Sequence, residues 1–569
     1  MKRLTTKLRR AGRALAAVAL MTAIAAPTVT RAAGQPGADD RDDQGRGDRD
    51  DDARAIRYVV VIFQENVSFD HYFATYPNAT NTDGTPFTGK AGTPIVNGLF
   101  LNGLLTNNPN KVPPFRLSSA EAVTCDQDHD YDDEQKAYNG RAMNRFFEHT
   151  GVGGPGCPDY GRGQGLVMGY YDGNTVTAMW HYAQTYAMSD NSYGTGFGPS
   201  TPGALNLAAG QTWGATIAAD KFGNFGSPTG NVTDPTPAGQ SFRTVIGDPR
   251  PGPALDNCTL PSSQSSTRTY VTMTGRNVGD LLNDGHVTWG WFQGGFRPAP
   301  NGNASLSNTP GGTGPVVCGS VHSGLAGASY DYIPHHEPFQ YYPQTANPKH
   351  LPPSSSWKIG ETDQANHQYD LQDFWTAVDA GRIPAVSFLK AAAYQDGHPG
   401  YSDPLDEQTF VTTTINRLMS SPEWAHMAII IAYDDSDGWY DHEAGPVLNQ
   451  SNTQYDWMFP LKVDANGNPI TGNCGGPLPL PGQTFQGRCG LGPRLPLMVI
   501  SPWARQNYVD HGVTSQSSIL RFIEDNWGLG RLGNESADAK SGSLFPLFDF
   551  DEHHARAPKL LLNSATGAP

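Results

Sequence analysis

Paired oxygen donors stand directly after two strongly apolar runs in this sequence, and that placement suits a hard cation. Gln64, Glu65 and Asn66 follow Tyr-Val-Val-Val-Ile-Phe at 58–63, and Asp434 and Asp435 follow Met-Ala-Ile-Ile-Ile-Ala-Tyr at 427–433. Glu65, Asn66, Asp434 and Asp435 offer three carboxylates and one amide oxygen, a donor set for one divalent metal ion with a preference for oxygen. Each pair also has an ordinary structural use. Glu-Asn after a strand serves as a cap and turn, and Asp-Asp-Ser-Asp-Gly at 434–438 is a polar turn that misses the calcium-loop spacing. Concurrence at the ends of separate strands is what favours a shared site.

Histidines add to the set: His129 in Asp-Gln-Asp-His-Asp-Tyr, His335-His336 before Glu-Pro-Phe, and His398 in Asp-Gly-His-Pro. A lone histidine is commonly structural, but an imidazole with its ordinary pKa of about 6.5 also binds a phosphoryl oxygen or protonates a leaving group. There is no Gly-X-Ser-X-Gly elbow, no His-Glu-X-X-His and no phosphate-binding P-loop. The segment Gly196-Phe-Gly-Pro-Ser-Thr-Pro-Gly203 reads either as a tight turn or as a nucleophile loop.

Four apolar runs of strand length must position these groups: 58–63, 385–389 (Ala-Val-Ser-Phe-Leu), 427–433 and 495–501 (Leu-Pro-Leu-Met-Val-Ile-Ser). All four are expected as buried strands of a parallel sheet. Helical spacing is expected over 369–380, 406–419 and 517–527, so strands and helices alternate as in an α/β doubly wound fold. In such sheets ligands bind beyond the carboxyl ends of the strands, which is where the donor pairs fall. Residues 210–345 are rich in Gly, Pro, Ser, Thr and Asn and read as a large irregular insertion.

The chain of 569 residues has a net charge of −16, with 65 Gly and 45 Pro but 37% hydrophobic residues. It is loop-rich yet able to bury a core, which excludes global disorder. The acidic balance argues against nucleic acid as a partner, since duplex binding needs clustered Lys and Arg. Residues 1–33 read as a signal peptide, with a basic start, the apolar run 14–26 and a small-residue exit. That run is shorter than the roughly 20 residues of a spanning helix, so no transmembrane anchor is expected, and the protein reads as periplasmic or secreted. Residues 34–55 read as an acidic disordered linker, with one large domain over 56–569. Six cysteines in an exported chain suggest disulfides, with nearest-neighbour pairing 125–157, 258–318 and 474–489 expected.

Gln64-Glu-Asn-Val-Ser-Phe-Asp-His-Tyr-Phe73 resembles the signature of a bacterial phosphoesterase family. That family holds the non-haemolytic-type phospholipases C and the AcpA-like acid phosphatases. The resemblance continues at 138–140, 168–171, 198–200, 335–340, 396–398, 433–442, 500–504 and 518–524, and so covers most of 56–530. It implies an alkaline-phosphatase-like α/β fold, a doubly wound and mostly parallel sheet with a metal-assisted hydroxyl nucleophile. By that resemblance Ser200 attacks phosphorus, and Glu65, Asn66, Asp434 and Asp435 hold the metal with Ser200 adjoining it. Asp435 thereby counts among the catalytic residues. His129, His336 and His398 bind phosphoryl oxygens or serve the leaving group, with His335 a substrate-binding neighbour.

The phospholipase branch has Thr at the nucleophile position and Pro-Asn-Arg after it, whereas here the loop reads Ser200-Thr-Pro-Gly-Ala204. That departure favours an acid phosphatase acting on phosphate monoesters, with a phospholipase C acting on phosphodiesters as the alternative. The substrate is then a phosphorylated small molecule or lipid. A reading from another class, a non-catalytic carbohydrate- or surface-binding protein, draws on the Gly/Pro richness and the 11 Trp. The ordered strand-end carboxylates argue against it.

Overall fold

Among the described residues eight strands form the central sheet, and the apolar runs that read as buried from the sequence lie at its middle. The computed structural model describes residues 55–218, 243–249, 251–259, 269–297, 320–449, 455–460, 472–474, 488–551 and 553–569, with Val232, Thr233 and Ser451. The expected signal peptide lies outside the described residues, as does the linker apart from Ala55. In chain order the strands are β1 (Tyr58–Gln64), β2 (Ala187–Ser189), β3 (Trp289–Gln293), β4 (Gln368–Asp370), β5 (Val386–Lys390), β6 (Met427–Tyr433), β7 (Leu497–Ile500) and β8 (Tyr508–Asp510). Across the sheet they run β4-β3-β5-β1-β6-β7-β2-β8.

β1 lies between β5 and β6 and is parallel to both. Val59, Val60, Val61 and Ile62 are fully buried, as are Met427 to Ile431 of β6. A strand apolar on both faces belongs in the centre of a sheet covered on both sides. Each large side chain so buried contributes about 1.5–3 kcal/mol. Helices that bear on the site are α1 (Tyr131–Tyr138), α2 (Ser200–Ala209), α3 (Leu371–Asp379), α4 (Pro404–Ser420) and α5 (Ser517–Trp527). Asp370 caps α3 through Gln372 N–H, so Tyr369 and Asp370, expected inside the helix, belong to β4. Asp403 caps α4 through Leu405 and Asp406 N–H, and Pro404 follows it in the first turn, where a missing N–H costs nothing. No helix among the described residues is long and apolar enough to cross a membrane.

Two expectations are corrected. The run 495–501 is a buried strand, but β7 is antiparallel to both neighbours. Its burial is the same in either direction, so composition carries no sign of the reversal. Ser501 Oγ donates to Met427 O at 2.7 Å, at the start of β6, so the residues that follow β7 leave from the opposite end of the sheet. The second correction concerns 210–345, which is not one insertion. Its segments at 213–218, 232–233, 243–245, 251–253 and 269–273 form a separate five-stranded sheet, but Trp289–Gln293 is a strand of the main sheet, parallel to β4 and β5. Aromatic residues fill that strand where β-branched ones mark the others, which hid it. Disulfides join Cys125 to Cys157 and Cys474 to Cys489, as expected, and Cys318 lies outside the described residues.

Because β7 is reversed, Arg494, three residues before it, sits where β1 and β6 end. Its buried guanidinium donates to Asp441 Oδ1 at 3.0 Å and to Asp70 Oδ1 at 3.1 Å. It also donates to the backbone oxygens of Asn97 at 2.7 Å and Asp190 at 3.0 Å. Asp70 Oδ2 meets His442 Nδ1 at 2.6 Å, which makes a cluster of two carboxylates, one guanidinium and one imidazole. Burial disfavours a charged His442, but Asp70 outweighs it and holds the pKa above the ordinary histidine value. A raised folded pKa contributes stability that is fully present below about 6.5 and is lost as pH rises through the folded value. The melting-temperature advantage of the wild type over His442→Gln is therefore expected to be greatest at pH 5–6 and to shrink toward pH 9. Calorimetric scans of both proteins across that range check it, and a constant difference would show that the ionic bond to Asp70 carries no stability.

Candidate active site

Strand register brings the two donor pairs together. Gln64 stands opposite Tyr433 in the parallel β1–β6 ladder, so Glu65-Asn66 and Asp434-Asp435 leave the sheet side by side. The pairing continues past the strands, with Asp434 N–H donating to Gln64 O at 3.1 Å and Val67 N–H to Asp435 O at 3.0 Å. Asn66 turns with φ of 63°, a left-handed conformation that asparagine tolerates better than most residues. Its N–H donates to Asp434 Oδ1 and its Nδ2 to Asp437 Oδ1, each at 3.0 Å. A carboxylate only accepts, so the second bond fixes the amide orientation and turns Asn66 Oδ1 away from Asp437. Asn66 Oδ1 and Asp434 Oδ2 are buried oxygens without a hydrogen-bond partner.

Ser200 is the first residue of α2 and is buried. Its Oγ donates toward Glu65 Oε2 at 2.9 Å and lies 3.4 Å from Asp435 Oδ2. The helix N-terminus brings a partial positive charge to the same place, with the Thr201 N–H taken by Asp248 Oδ1 at 2.9 Å and none on Pro202. Gly203 lets α2 approach this closely, because a Cβ there would stand 2.2 Å from Asp434 O. The reading of 196–203 as a tight turn or a nucleophile loop thus resolves into a turn that feeds a helix with Ser200 at its tip.

Three carboxylates in one buried pocket repel one another. Lys390, the last residue of β5, pairs with Glu65 Oε1 and is itself buried. Burial works against an ionised Glu65, but Lys390 outweighs it and holds the carboxyl below its ordinary value. Burial and the Glu65 charge push Asp434 up to about 7. Burial and Asp434 push Asp435 well above the carboxylate range, and burial and Glu65 do the same to Asp396. One lysine does not balance three carboxylates, and a divalent cation among them would supply the counter-charge that ionises all three together. Glu65, Asn66, Asp434, Asp435 and Ser200 fit such an ion by donor chemistry, and the two unpartnered oxygens fit it by geometry.

The four histidines converge on this pocket in different ways. His336 is buried, and its Nδ1 lies 3.0 Å from Glu65 Oε1. Burial and then Lys390 hold its pKa well below the ordinary value, so it is neutral and donates to that carboxylate. The His335 ring stands edge-on to His336 at 4.4 Å, with Nε2 3.5 Å from Asp248. His129 Nδ1 meets Gln127 O at 2.7 Å and His398 Nδ1 meets Pro399 O at 2.6 Å. A carbonyl only accepts, so both rings carry their hydrogen on Nδ1 and present Nε2 outward, with ring centres 6.3 Å apart. Burial lowers the His129 pKa, yet Asp435, Asp126 and Asp437 outweigh it and hold the pKa well above the ordinary value.

Lys390 and Asp437 escape notice in the sequence, although each has a local signal. Lys390 is a cation ending a buried strand, and Asp437 stands two residues after a donor pair. Asp510-His511, by contrast, lie beyond the reversed β7 and take no part; His511 Nδ1 pairs with Asp190 at 2.8 Å.

A family model described as the Phosphoesterase family matches residues 56–530. A protein named non-hemolytic phospholipase C from Pseudomonas aeruginosa is 23% identical over 479 residues, which are 83% of this chain and 54% of that one. One named phospholipase C A from Mycobacterium tuberculosis is 25% identical over 508 residues, 87% of this chain and 77% of that one. The chain thus spans about half the length of the Pseudomonas relative and about three quarters of the Mycobacterium one. Among solved structures, a protein in the alkaline phosphatase superfamily from Vibrio parahaemolyticus aligns with a TM-score of 0.25 and 11% identity over 62% of each chain.

Removing one ligand charge is expected to empty the site. Glu65→Gln and Asp434→Asn should each weaken divalent-ion binding by about tenfold or more, with little change in side-chain volume. Metal analysis after dialysis at fixed free Mg²⁺, Mn²⁺ or Zn²⁺ measures it. Wild-type metal content in both variants would place the cation elsewhere.

Proposed function

Since the chain belongs to the Phosphoesterase family, we propose that it hydrolyses phosphoric esters with Ser200 as nucleophile. The observation that carries this reading is the placement of Ser200 Oγ, 2.9 Å from Glu65 Oε2 and 3.4 Å from Asp435 Oδ2 at the tip of a ten-residue helix. A divalent cation held by Glu65, Asn66, Asp434, Asp435 and Ser200 supplies Lewis-acid polarisation of the phosphoryl group and lowers the pKa of a bound hydroxyl.

The protein's own groups do the rest. Ser200 Oγ forms a bond to phosphorus as the bond to the leaving oxygen breaks, and water later cleaves the seryl phosphate. The partial positive charge at the start of α2 favours the developing negative charge. His129 and His398 present Nε2 to the phosphoryl oxygens or to the leaving oxygen, which gains a proton as it departs. His336 orients Glu65, and His335 sits beside it as a substrate contact.

Phosphate monoesters are the first substrate class, because Ser-Thr-Pro-Gly stands where the phospholipase branch carries Thr and Pro-Asn-Arg. Phosphodiesters of lipid head groups are the second, favoured by the names of the Pseudomonas and Mycobacterium relatives. The disulfides Cys125–Cys157 and Cys474–Cys489 and the basic, then apolar, start of the sequence support an exported enzyme made of one large domain after a leader and an acidic linker.

Ser200→Ala is expected to abolish turnover while leaving the melting temperature close to wild type. Acid quenching should trap phosphate on Ser200 of the wild type, and label found on Thr201 would identify the neighbour as nucleophile. Comparing kcat/KM on p-nitrophenyl phosphate and on p-nitrophenylphosphorylcholine decides the ester class. A preference for the first is expected, a preference for the second establishes the phospholipase reading, and no hydrolysis of either would sink both.

A further inference from the structure

Glu134 lies outside the donor set yet touches both loops that build the site. It projects from α1 and is buried. Its Oε2 accepts Gly198 N–H at 2.9 Å, and its Oε1 accepts the Ser436 hydroxyl at 2.7 Å. Gly198 precedes Ser200 by two residues, and Ser436 directly follows Asp435. Ser436 Oγ in turn accepts Gly438 N–H at 3.1 Å, which closes the metal-donor turn on itself. The same helix braces the nucleophile loop a second time, where the Tyr138 ring meets Phe197 edge-on at 5.0 Å.

The nucleophile loop reaches this carboxylate in a conformation that glycine allows. Gly198 has φ of +104°, and a Cβ there would stand 2.5 Å from Ile246 O. A buried carboxylate is unfavourable unless its oxygens are satisfied, and here each oxygen takes one donor from a different loop. An apolar side chain would fill the same space without joining the loops.

We propose that Glu134 is a positioning residue that ties the nucleophile loop to the metal-donor loop and so holds Ser200 Oγ against Glu65 and Asp435. This rests on the proposed hydrolysis at Ser200. Small displacements of a reacting group are costly, since a misplacement of about 1 Å lowers a rate by about 10²-fold.

The test compares wild type, Glu134→Ala, Glu134→Gln and Ser436→Ala, using kinetics on p-nitrophenyl phosphate and p-nitrophenylphosphorylcholine and amide hydrogen exchange. Glu134→Ala is expected to lower kcat by about 10²-fold with KM within about threefold. Exchange should accelerate at 196–200 and stay slow in β1 and β6. Glu134→Gln should restore both readouts, because its amide oxygen accepts Gly198 N–H and Ser436 Oγ can turn to accept from its NH2. Ser436→Ala cuts one of the two links and should shift both readouts the same way by less, which keeps the test decisive if Glu134→Ala fails to fold. Wild-type kcat and exchange in either alanine variant would overturn the proposal, as would faster exchange throughout β1 and β6. If no protein in the set hydrolyses either ester, the hydrolytic reading fails, and the exchange at 196–200 alone decides the role of Glu134.

Discussion

Everything near the site follows from placing several carboxylates in one dry pocket. Glu65, Asp434 and Asp435 are each almost fully buried, and so is Asp396 beside them. Taking such charges out of water is expensive unless they are paired and hydrogen-bonded. The pocket answers this in layers. Lys390 pairs with Glu65, and backbone N–H groups satisfy one oxygen each of Asp434, Asp435 and Asp396. What remains is an excess of carboxylates over cations and two buried oxygens without a hydrogen-bond partner, which a divalent cation would satisfy together.

The sheet supplies this arrangement through direction as much as through burial. β5, β1 and β6 are parallel neighbours, so Lys390, Glu65 and Asp434 arrive together at their carboxyl ends. A mixed order at this point would send one of the three to the far edge. β7 is reversed, which places Arg494 at the same end, where it joins Asp70 and Asp441 in a second charge cluster behind the first. One cluster has more carboxylates than its single lysine pairs, and the other is balanced by its own arginine and a histidine. The first keeps buried oxygens without a hydrogen-bond partner, and the second ties loops together through Arg494.

Ser200 arrives from outside the sheet. α2 packs its Gly203 against the Asp434 backbone, and the preceding loop is strapped from several sides. Thr201 N–H donates to Asp248 at 2.9 Å, Phe197 N–H reaches Cys489 O at 3.4 Å, and Gly198 bonds Glu134. Cys489 is bonded to Cys474, so one disulfide lies directly behind the loop. Asp248 and His335 come from the stretch that reads as an insertion, which therefore lines the site as well as decorating the fold.

Glu65, Asn66, Asp434, Asp435 and the histidines stand out in the sequence by local pattern, oxygen donors after an apolar run and imidazoles among acids, whereas Ser200 stands out only through the family resemblance of its Gly/Pro loop. The sequence also carried the central strands, through burial on both faces, and the ends of α3, α4 and α5 to within two residues, but it gave no sign of α1 or α2. Strand direction, the partner of each charge and the distance between loops remote in sequence were decided only by the tertiary structure. β7 reads the same either way because burial has no polarity. β3 and β4 were hidden by aromatic and polar residues whose burial depends on neighbours. Lys390, Asp437 and Glu134 are ordinary charged residues until the fold removes water from them. Their roles come from low-dielectric pairing across more than sixty residues, an interaction that no local pattern records.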